Sequence, residues 1–201
     1  MNKRKIWTVA NIISAVRIGA APIILLILYL DKWINGSLHH SLTADLKYPW
    51  ITFVAVVIYV LAAVSDAFDG YMARKRDEVT NLGKFLDPLA DKIVVSTVLI
   101  MLVYLGWAPA WIAILIIMRE ITITALRSMA SAEGVIIAAG PWGKAKTITQ
   151  NIALPFLILN YDHFGIPIFY IGTVMLYVAL VLTIYSGWDY LNKFFTDRQS
   201  E

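Results

Sequence analysis

The sequence predicts an all-α membrane protein, a single domain over residues 1–201 that crosses the bilayer with six transmembrane helices. Composition is the first reason, because 59% of the residues are hydrophobic and 15% are charged, whereas soluble domains carry about 25% charged residues. The second reason is that the apolar runs are continuous and do not alternate with polar residues, as the strands of a membrane barrel would. The third is a group of four aspartates beside these runs, where an ionisable side chain indicates function.

Six apolar segments are long enough, at 1.5 Å per helical residue, to cross a hydrocarbon core of about 30 Å. They cover residues 9–30, 50–72, 86–105, 109–129, 145–161 and 166–190. The fifth segment is the most polar, since Thr147, Thr149, Gln150 and Asn151 stand near its start. A short interfacial helix over residues 3–7 is expected before the first segment. The long connection over residues 31–48 is expected to be an outer loop.

The distribution of lysine and arginine predicts the orientation of the helices. If the segments alternate in direction, the opposite side carries only Lys32 and Lys47. Basic residues concentrate on the cytoplasmic side of membrane proteins, so both termini and the loop between the second and third segments should face the cytoplasm. The basic residues on that side are Lys3, Arg4, Lys5, Arg74, Lys75, Arg76, Lys84, Lys144, Lys146, Lys193 and Arg198.

The four aspartates are spaced for two helix faces. Asp66 and Asp69 are three residues apart, and Asp87 and Asp91 are four apart, so each pair projects from one face of its helix. Four carboxylates this close repel one another unless cations lie between them, and carboxylate oxygens suit Mg²⁺ or Mn²⁺. Two such ions can hold a phosphate ester and stabilise a leaving oxygen. The alternative is a structural role: Asp87 before Pro88 has the form of a helix N-cap followed by proline at N1.

The same residues form a longer motif. Residues 66–74 read D-x-x-D-G-x-x-A-R, eight residues follow, and residues 83–91 read G-x-x-x-D-x-x-x-D. This pattern resembles the signature of the CDP-alcohol phosphotransferase family, with every fixed position present. The resemblance implies a six-helix membrane fold, usually dimeric, in the bacterial cytoplasmic membrane, with the active site open to the cytoplasm. No nucleic-acid partner is expected.

The resemblance also implies roles for individual residues. Two divalent cations, Mg²⁺ first and Mn²⁺ second, would be held by Asp66, Asp69, Asp87 and Asp91. Asp91 would in addition act as the catalytic base on the acceptor hydroxyl. The CDP-linked donor would be bound by Asn11, Ser14, Arg17, Asp69, Gly70, Ala73, Arg74 and Gly83. Arg17 has an alternative role, in which its long side chain reaches the cytoplasmic interface.

Basic residues elsewhere in the chain indicate the acceptor. Arg119 and Arg127 lie about 80° apart around the predicted fourth helix, so both can line one broad cavity, and Lys144 and Lys146 follow at the start of the fifth segment. Arginine and lysine are the usual partners of phosphate groups, which predicts an acceptor that carries a phosphate. Two alternatives remain open: the lysines reach lipid headgroups, or Arg119 forms a structural ion pair with Glu120.

Four short sequence motifs indicate which branch of the family the chain resembles most. The runs Asn11-x-x-Ser14-x-x-Arg17, Arg119-Glu120 to Leu126-Arg127, Glu133-Gly134 and Gly143-Lys144-x-Lys146-Thr147 are similar to the bacterial phosphatidylglycerophosphate synthase branch. That branch implies CDP-diacylglycerol as donor, glycerol 3-phosphate as acceptor and release of CMP. Within the family the alternatives are serine, inositol phosphate or phosphatidylglycerol as acceptor. Outside it, a transporter would also place carboxylates in spans, but would be expected to have repeated halves and broken helices.

Overall fold

A computed structural model of the chain describes residues 9–35, 50–76, 81–132, 140–160 and 166–199. Side chains are described throughout these ranges except at 9–10, 35, 66–76, 81–85, 87–88, 131–132, 195 and 197–199. Within the described ranges the elements are six α-helices and no β-strand, as predicted. They are α1 (Val9–Asn35), α2 (Trp50–Arg76), α3 (Asn81–Leu105), α4 (Ala110–Ala132), α5 (Pro141–Leu159) and α6 (Ile168–Gln199).

The bundle is organised around α3, which contacts α1, α2, α4 and α5, while α6 packs on α4 and most extensively on α5. Each helix turns an apolar stripe inward. Val98, Leu99 and Leu102 of α3 are completely buried at the centre of the resulting core. A smaller apolar cluster joins α4 to α6 beyond it and contains Ile123, Ala130, Tyr190 and Phe194.

Helices α5 and α6 approach each other closely at Gly172. A Cβ atom added to this glycine would lie 2.9 Å from the Cβ atom of Phe156 and 3.0 Å from the backbone nitrogen of Leu157. No side chain fits at that distance. The absence of a side chain therefore sets how closely α6 approaches α5, which is how small residues act in membrane helix packing.

The surface of the bundle is inverted relative to that of a soluble protein. Large apolar side chains such as Leu26, Val174 and Val181 are exposed, whereas the polar side chains of Arg17 and Lys146 are buried. A bilayer favours this arrangement, because ionisable groups in hydrocarbon turn toward the bundle interior. The described part of the chain has the surface expected of a membrane protein.

Two helices are long and apolar enough to cross a membrane by length and composition. They are the stretches Asn11–Ile34 and Ile168–Phe194, and α2 contains a shorter apolar stretch, Trp50–Ser65. In α3 and α4 the apolar residues are interrupted by charged pairs, Asp91-Lys92 and Arg119-Glu120. The prediction of six helices is confirmed, and the prediction that all six cross the membrane stays a prediction.

Some helix ends differ from the sequence-based expectation. The N-cap interpretation of Asp87 is wrong, because α3 begins at Asn81 and runs through Asp87 and Pro88 without a break. Proline lacks one backbone donor, but neighbouring helices compensate for this in membrane bundles. The outer loop expected from residue 31 also begins later, because α1 continues to Asn35. The interfacial helix expected over residues 3–7 lies outside the described residues.

Candidate functional site

Polar side chains from three helices meet in one cavity, called here the charged cavity. Asp91 and Lys92 come from α3, Glu120 comes from α4 and Lys146 comes from α5. The remaining lining residues are Val95, Ser96, Leu99, Ile116, Ile117, Thr147, Gln150 and Asn151. The cavity is small, about 30 Å³. It lies toward the end of the bundle where the predicted cytoplasmic loops connect the helices, and its walls combine an apolar base with four ionisable groups.

An ion pair between α4 and α5 forms one wall of the charged cavity. The ammonium group of Lys146 contacts the Oε1 atom of Glu120, and the Nη1 atom of Arg119 lies 3.8 Å from the same oxygen. Lys146 is only 4% exposed, so it cannot be a lysine that reaches lipid headgroups. The Arg119–Glu120 ion pair that the sequence left open is present, and Glu120 is shared between two cations.

Arg119 is also held from α6. Its Nη2 atom donates a hydrogen bond to the hydroxyl oxygen of Ser186 at 2.9 Å, and that hydroxyl in turn donates to the backbone oxygen of Thr183 at 3.2 Å. The next residue, Gly187, leaves room for the arginine stem, since a Cβ atom there would lie 3.3 Å from Arg119 Cγ. The side chain of Arg119 is thus positioned by two helices, its own α4 and α6.

Asp91 also lines the cavity and interacts electrostatically with Lys92, Lys146 and Tyr59. Tyr59, from α2, is buried and donates a hydrogen bond to the Oδ1 atom of Asn151 at 3.1 Å. Asn151 itself lines the cavity. A carboxylate within a cavity that also contains two ammonium groups can accept a proton from a bound hydroxyl, provided the hydroxyl comes within hydrogen-bond reach.

The three predicted donor-binding residues of α1 share one face of that helix. Asn11, Ser14 and Arg17 follow at intervals of three residues, and all three side chains are buried and engaged with neighbours. Burial of an arginine at 3% exposure argues against a side chain that extends to the membrane interface. The structure therefore places these residues within the bundle, and their donor-binding role stays a prediction.

The structure describes the four predicted metal-binding aspartates only in part. Asp66 and Asp69 lie one turn apart in α2, and Asp87 and Asp91 lie one turn apart in α3, as the spacing predicted. The side chains of Asp66, Asp69 and Asp87, with those of Ala73 and Arg74, lie outside those described, as do the surroundings of Gly70 and Gly83. Among the described side chains no group of three potential metal ligands occurs. The four positions nonetheless belong to adjacent helices, since α2 contacts α3.

The four predicted acceptor-binding residues separate into two kinds. Lys146 lines the charged cavity, and Arg119 is linked to it through Glu120. Arg127 is exposed, with its guanidinium carbon 5.7 Å from the centre of the Tyr190 ring, and it interacts electrostatically with Arg119 and Lys92. Lys144 is exposed and is absent from the cavity lining among the described residues.

The structure adds site residues that the sequence did not single out. Lys92, Gln150 and Asn151 line the charged cavity, while Tyr59 and Ser186 hold residues around it. The sequence could have indicated two of them. Gln150 and Asn151 are polar residues within a predicted span, where a polar side chain is costly. Tyr59 and Ser186 had no comparable signal, since their roles depend on contacts with other helices.

Known proteins resemble this chain over nearly its whole length. Residues 7–185 match the CDP-alcohol phosphatidyltransferase family. A Bacillus subtilis protein named CDP-diacylglycerol--glycerol-3-phosphate 3-phosphatidyltransferase is 40% identical over 187 residues, 93% of this chain and 95% of its own length.

Two further relatives are also similar to this chain over most of its length. A Mycobacterium tuberculosis protein named probable phosphatidylglycerophosphate synthase is 34% identical, covering 97% of this chain and 85% of its own. A Rickettsia bellii protein that shares the name of the Bacillus protein is 33% identical, covering 90% and 91%. With its complete aspartate motif, its six helices and this agreement along the sequence, the chain belongs to the CDP-alcohol phosphatidyltransferase family.

Proposed function

We propose that the protein transfers the phosphatidyl group of CDP-diacylglycerol to glycerol 3-phosphate and releases CMP, a step of phospholipid biosynthesis. The names of relatives that are 33–40% identical support this reaction. The structural observation that carries it is the buried Lys146, paired with Glu120 next to Asp91 in the charged cavity. A buried cation beside a carboxylate base is what an acceptor with both a phosphate and a free hydroxyl requires.

The residues present fit a pair of divalent cations. All four predicted ligands, Asp66, Asp69, Asp87 and Asp91, supply carboxylate oxygens, the donors that Mg²⁺ and Mn²⁺ prefer, from adjacent turns of two helices in contact. Bound there, the cations would neutralise the charge of the donor's pyrophosphate and of the departing CMP. Asp69, Gly70, Ala73, Arg74 and Gly83, with Asn11, Ser14 and Arg17 from α1, would bind the CDP-linked donor.

In the chemical step, Asp91 takes the proton of the free primary hydroxyl of glycerol 3-phosphate. The hydroxyl oxygen forms a bond to the phosphorus that carries diacylglycerol, and the bond from that phosphorus to the bridging oxygen of the pyrophosphate breaks. CMP leaves with the bridging oxygen and its electron pair. Arg119, Arg127, Lys144 and Lys146 attract the acceptor phosphate, with Lys146 nearest to Asp91. Holding the two reactants in line provides most of the rate gain.

The membrane arrangement belongs to the same proposal. All six helices cross the bacterial cytoplasmic membrane, with both termini and the charged cavity on the cytoplasmic side, where glycerol 3-phosphate is available. The placement of lysine and arginine supports this orientation. Acyl chains of the donor stay in the lipid beside the apolar outer face of the bundle. A homodimer is expected on the strength of the family resemblance, and cross-linking in native membranes would test it.

The reaction is tested with purified protein in detergent or liposomes. CDP-diacylglycerol and Mg²⁺ are supplied with glycerol 3-phosphate, serine, inositol phosphate or phosphatidylglycerol in separate incubations, and CMP release is measured. We expect release with glycerol 3-phosphate at a kcat/KM at least a hundredfold above the others. Release with a different acceptor would reassign the substrate while leaving the family unchanged. Release with none, together with uptake of a solute into vesicles, would favour the transporter alternative.

A further inference from the structure

One polar side chain of the charged cavity has no role in the mechanism above. Gln150 of α5 is 3% exposed and lines the cavity together with Asp91 and Lys146. Its Oε1 atom is buried and has no hydrogen-bond partner among the described residues. A buried carbonyl oxygen left without a donor costs about 1–3 kcal/mol, so a group with a donated hydrogen is expected to occupy the space in front of it.

The surroundings restrict what that group can be. Lys146, which attracts the acceptor phosphate, lies one helical turn before Gln150 on α5 and lines the same small cavity. The Oε1 atom of Gln150 has no hydrogen to donate to that phosphate, so its partner is a donor group elsewhere on the acceptor. An amide oxygen accepts a hydrogen bond from a hydroxyl, and the volume of about 30 Å³ suits a single hydroxyl. Glycerol 3-phosphate has a secondary hydroxyl between its reacting oxygen and its phosphate, at the position where such a contact would be made.

We infer that Gln150 is a specificity-determining residue whose Oε1 atom accepts a hydrogen bond from the secondary hydroxyl of the acceptor. This inference rests on the proposed function, and it adds a contact that distinguishes glycerol 3-phosphate, which has two free hydroxyls, from an alcohol phosphate that has one. The amide oxygen of the neighbouring Asn151, in contrast, already accepts a hydrogen bond from Tyr59. Sites that hydrogen-bond a substrate hydroxyl discriminate strongly against analogues that lack it, because their buried polar group is then unpaired.

The test compares two acceptors, glycerol 3-phosphate and 3-hydroxypropyl phosphate, which keeps the primary hydroxyl and the phosphate but lacks the secondary hydroxyl. The wild-type protein is expected to prefer glycerol 3-phosphate by about a hundredfold in kcat/KM, near the upper end of the cost of leaving a buried acceptor unpaired. In Gln150→Met, which preserves length and removes the acceptor oxygen, the preference should fall to less than about fivefold, mainly through poorer use of glycerol 3-phosphate. Gln150→Glu keeps an acceptor oxygen in nearly the same volume and should retain most of the preference.

Thr149→Val is the matched control, because this neighbouring hydroxyl already donates to the backbone oxygen of Ala145 at 2.9 Å and does not line the cavity. Its preference should equal that of the wild type. Equal use of both acceptors by the wild type, or an unchanged preference in Gln150→Met, would overturn the inference and indicate that a water molecule satisfies Gln150. If Gln150→Met does not fold, loss of the preference in Gln150→Glu overturns it. No CMP release from the wild type with glycerol 3-phosphate would instead reject the proposed function.

Discussion

The guanidinium of Arg119 in α4 donates a hydrogen bond to the hydroxyl of Ser186 in α6, with 2.9 Å between Nη2 and Oγ. Gly187, the next residue, lies against the stem of the same arginine. Together they hold Arg119 beside Glu120, at the edge of the charged cavity. The last helix thereby positions a residue that we assign to the acceptor phosphate, although none of the described side chains of α6 lines the cavity.

Removing this support should weaken acceptor use. Ser186→Ala deletes one hydrogen bond to a charged group, worth about 1.5–3 kcal/mol, so the KM for glycerol 3-phosphate should rise about tenfold or more while kcat changes less. Ser186→Thr retains the hydroxyl and should recover most of the loss. Thr173→Val is the control on the same helix, since that hydroxyl donates to its own helix at Phe169. An unchanged acceptor KM in Ser186→Ala would contradict the positioning role.

The assignment of Asp91 as the base predicts a different kinetic signature. Asp91→Asn preserves the shape of the side chain but cannot take a proton, so turnover should fall by about 10²–10⁴-fold, whereas binding of CDP-diacylglycerol should be largely retained. Turnover is measured as CMP release, and donor binding as the affinity for a labelled CDP-diacylglycerol analogue. Asp189→Asn, which removes an exposed carboxylate paired with Lys193, should change turnover less than about twofold. Near-normal turnover in Asp91→Asn would rule out this base.

Chelation tests the predicted divalent cations. Excess EDTA should reduce CMP release to background, and addition of Mg²⁺ or Mn²⁺ beyond the chelator should restore it, because uncompensated carboxylates at positions 66, 69, 87 and 91 would repel the donor pyrophosphate. Ca²⁺, which prefers more ligands at longer distances, should restore activity poorly. Full activity after exhaustive chelation would mean that the aspartates act without a metal.

The sequence predicts the six helices well because each contains a continuous apolar run, a signal that needs no tertiary information. Helix ends are harder to predict. Asp87-Pro88 has the local features of a helix start, yet α3 begins at Asn81, because packing against other helices outweighs the local preference of a proline. The same limit applies to the end of α1, which continues past Asp31, a residue that is completely buried in the bundle.

The site was predictable only where it forms a local motif. The aspartate pairs follow from helical spacing, and Lys146 follows from its charge at the start of a predicted span. Arg119 and Ser186 are 67 residues apart in the chain, so no pattern along the sequence reveals their contact. Gln150 and Asn151 appear in the sequence only as polar residues that weaken a predicted span. Their role becomes apparent when α5 packs against α2 and α3.

The close packing at Gly172 leads to a prediction about stability. Gly172→Ala places a methyl group 2.9 Å from the Cβ atom of Phe156, and overpacking of this kind costs about 1–3 kcal/mol. The melting temperature in detergent should fall by several degrees. Gly19→Ala is the matched control, because nothing lies within 4 Å of its added Cβ atom and alanine favours a helix by about 0.5–1 kcal/mol. Equal melting temperatures for the two variants would contradict the close α5–α6 contact.

The Glu120–Lys146 ion pair allows the structural and functional roles of Lys146 to be separated. Lys146→Met leaves the more distant Arg119 as the sole cation paired with the carboxylate of Glu120 among the described residues. Breaking a buried pair costs about 3–5 kcal/mol, so both stability and activity should fall. The double variant Glu120→Gln, Lys146→Met removes both charges and should regain most of the thermal stability. It should not regain use of glycerol 3-phosphate, because the cation next to Asp91 is still missing.

Lys193→Met is the control for the Lys146 variants, because it breaks an exposed ion pair, the one with Asp189. Exposed pairs are worth at most about 1 kcal/mol, so neither melting temperature nor CMP release should change much. Recovery of both stability and acceptor KM in the double variant would assign Lys146 a purely structural role. If the double variant recovers stability but not the acceptor KM, lost stability cannot explain its poor use of glycerol 3-phosphate. The ammonium group of Lys146 would then be a ligand of the acceptor phosphate.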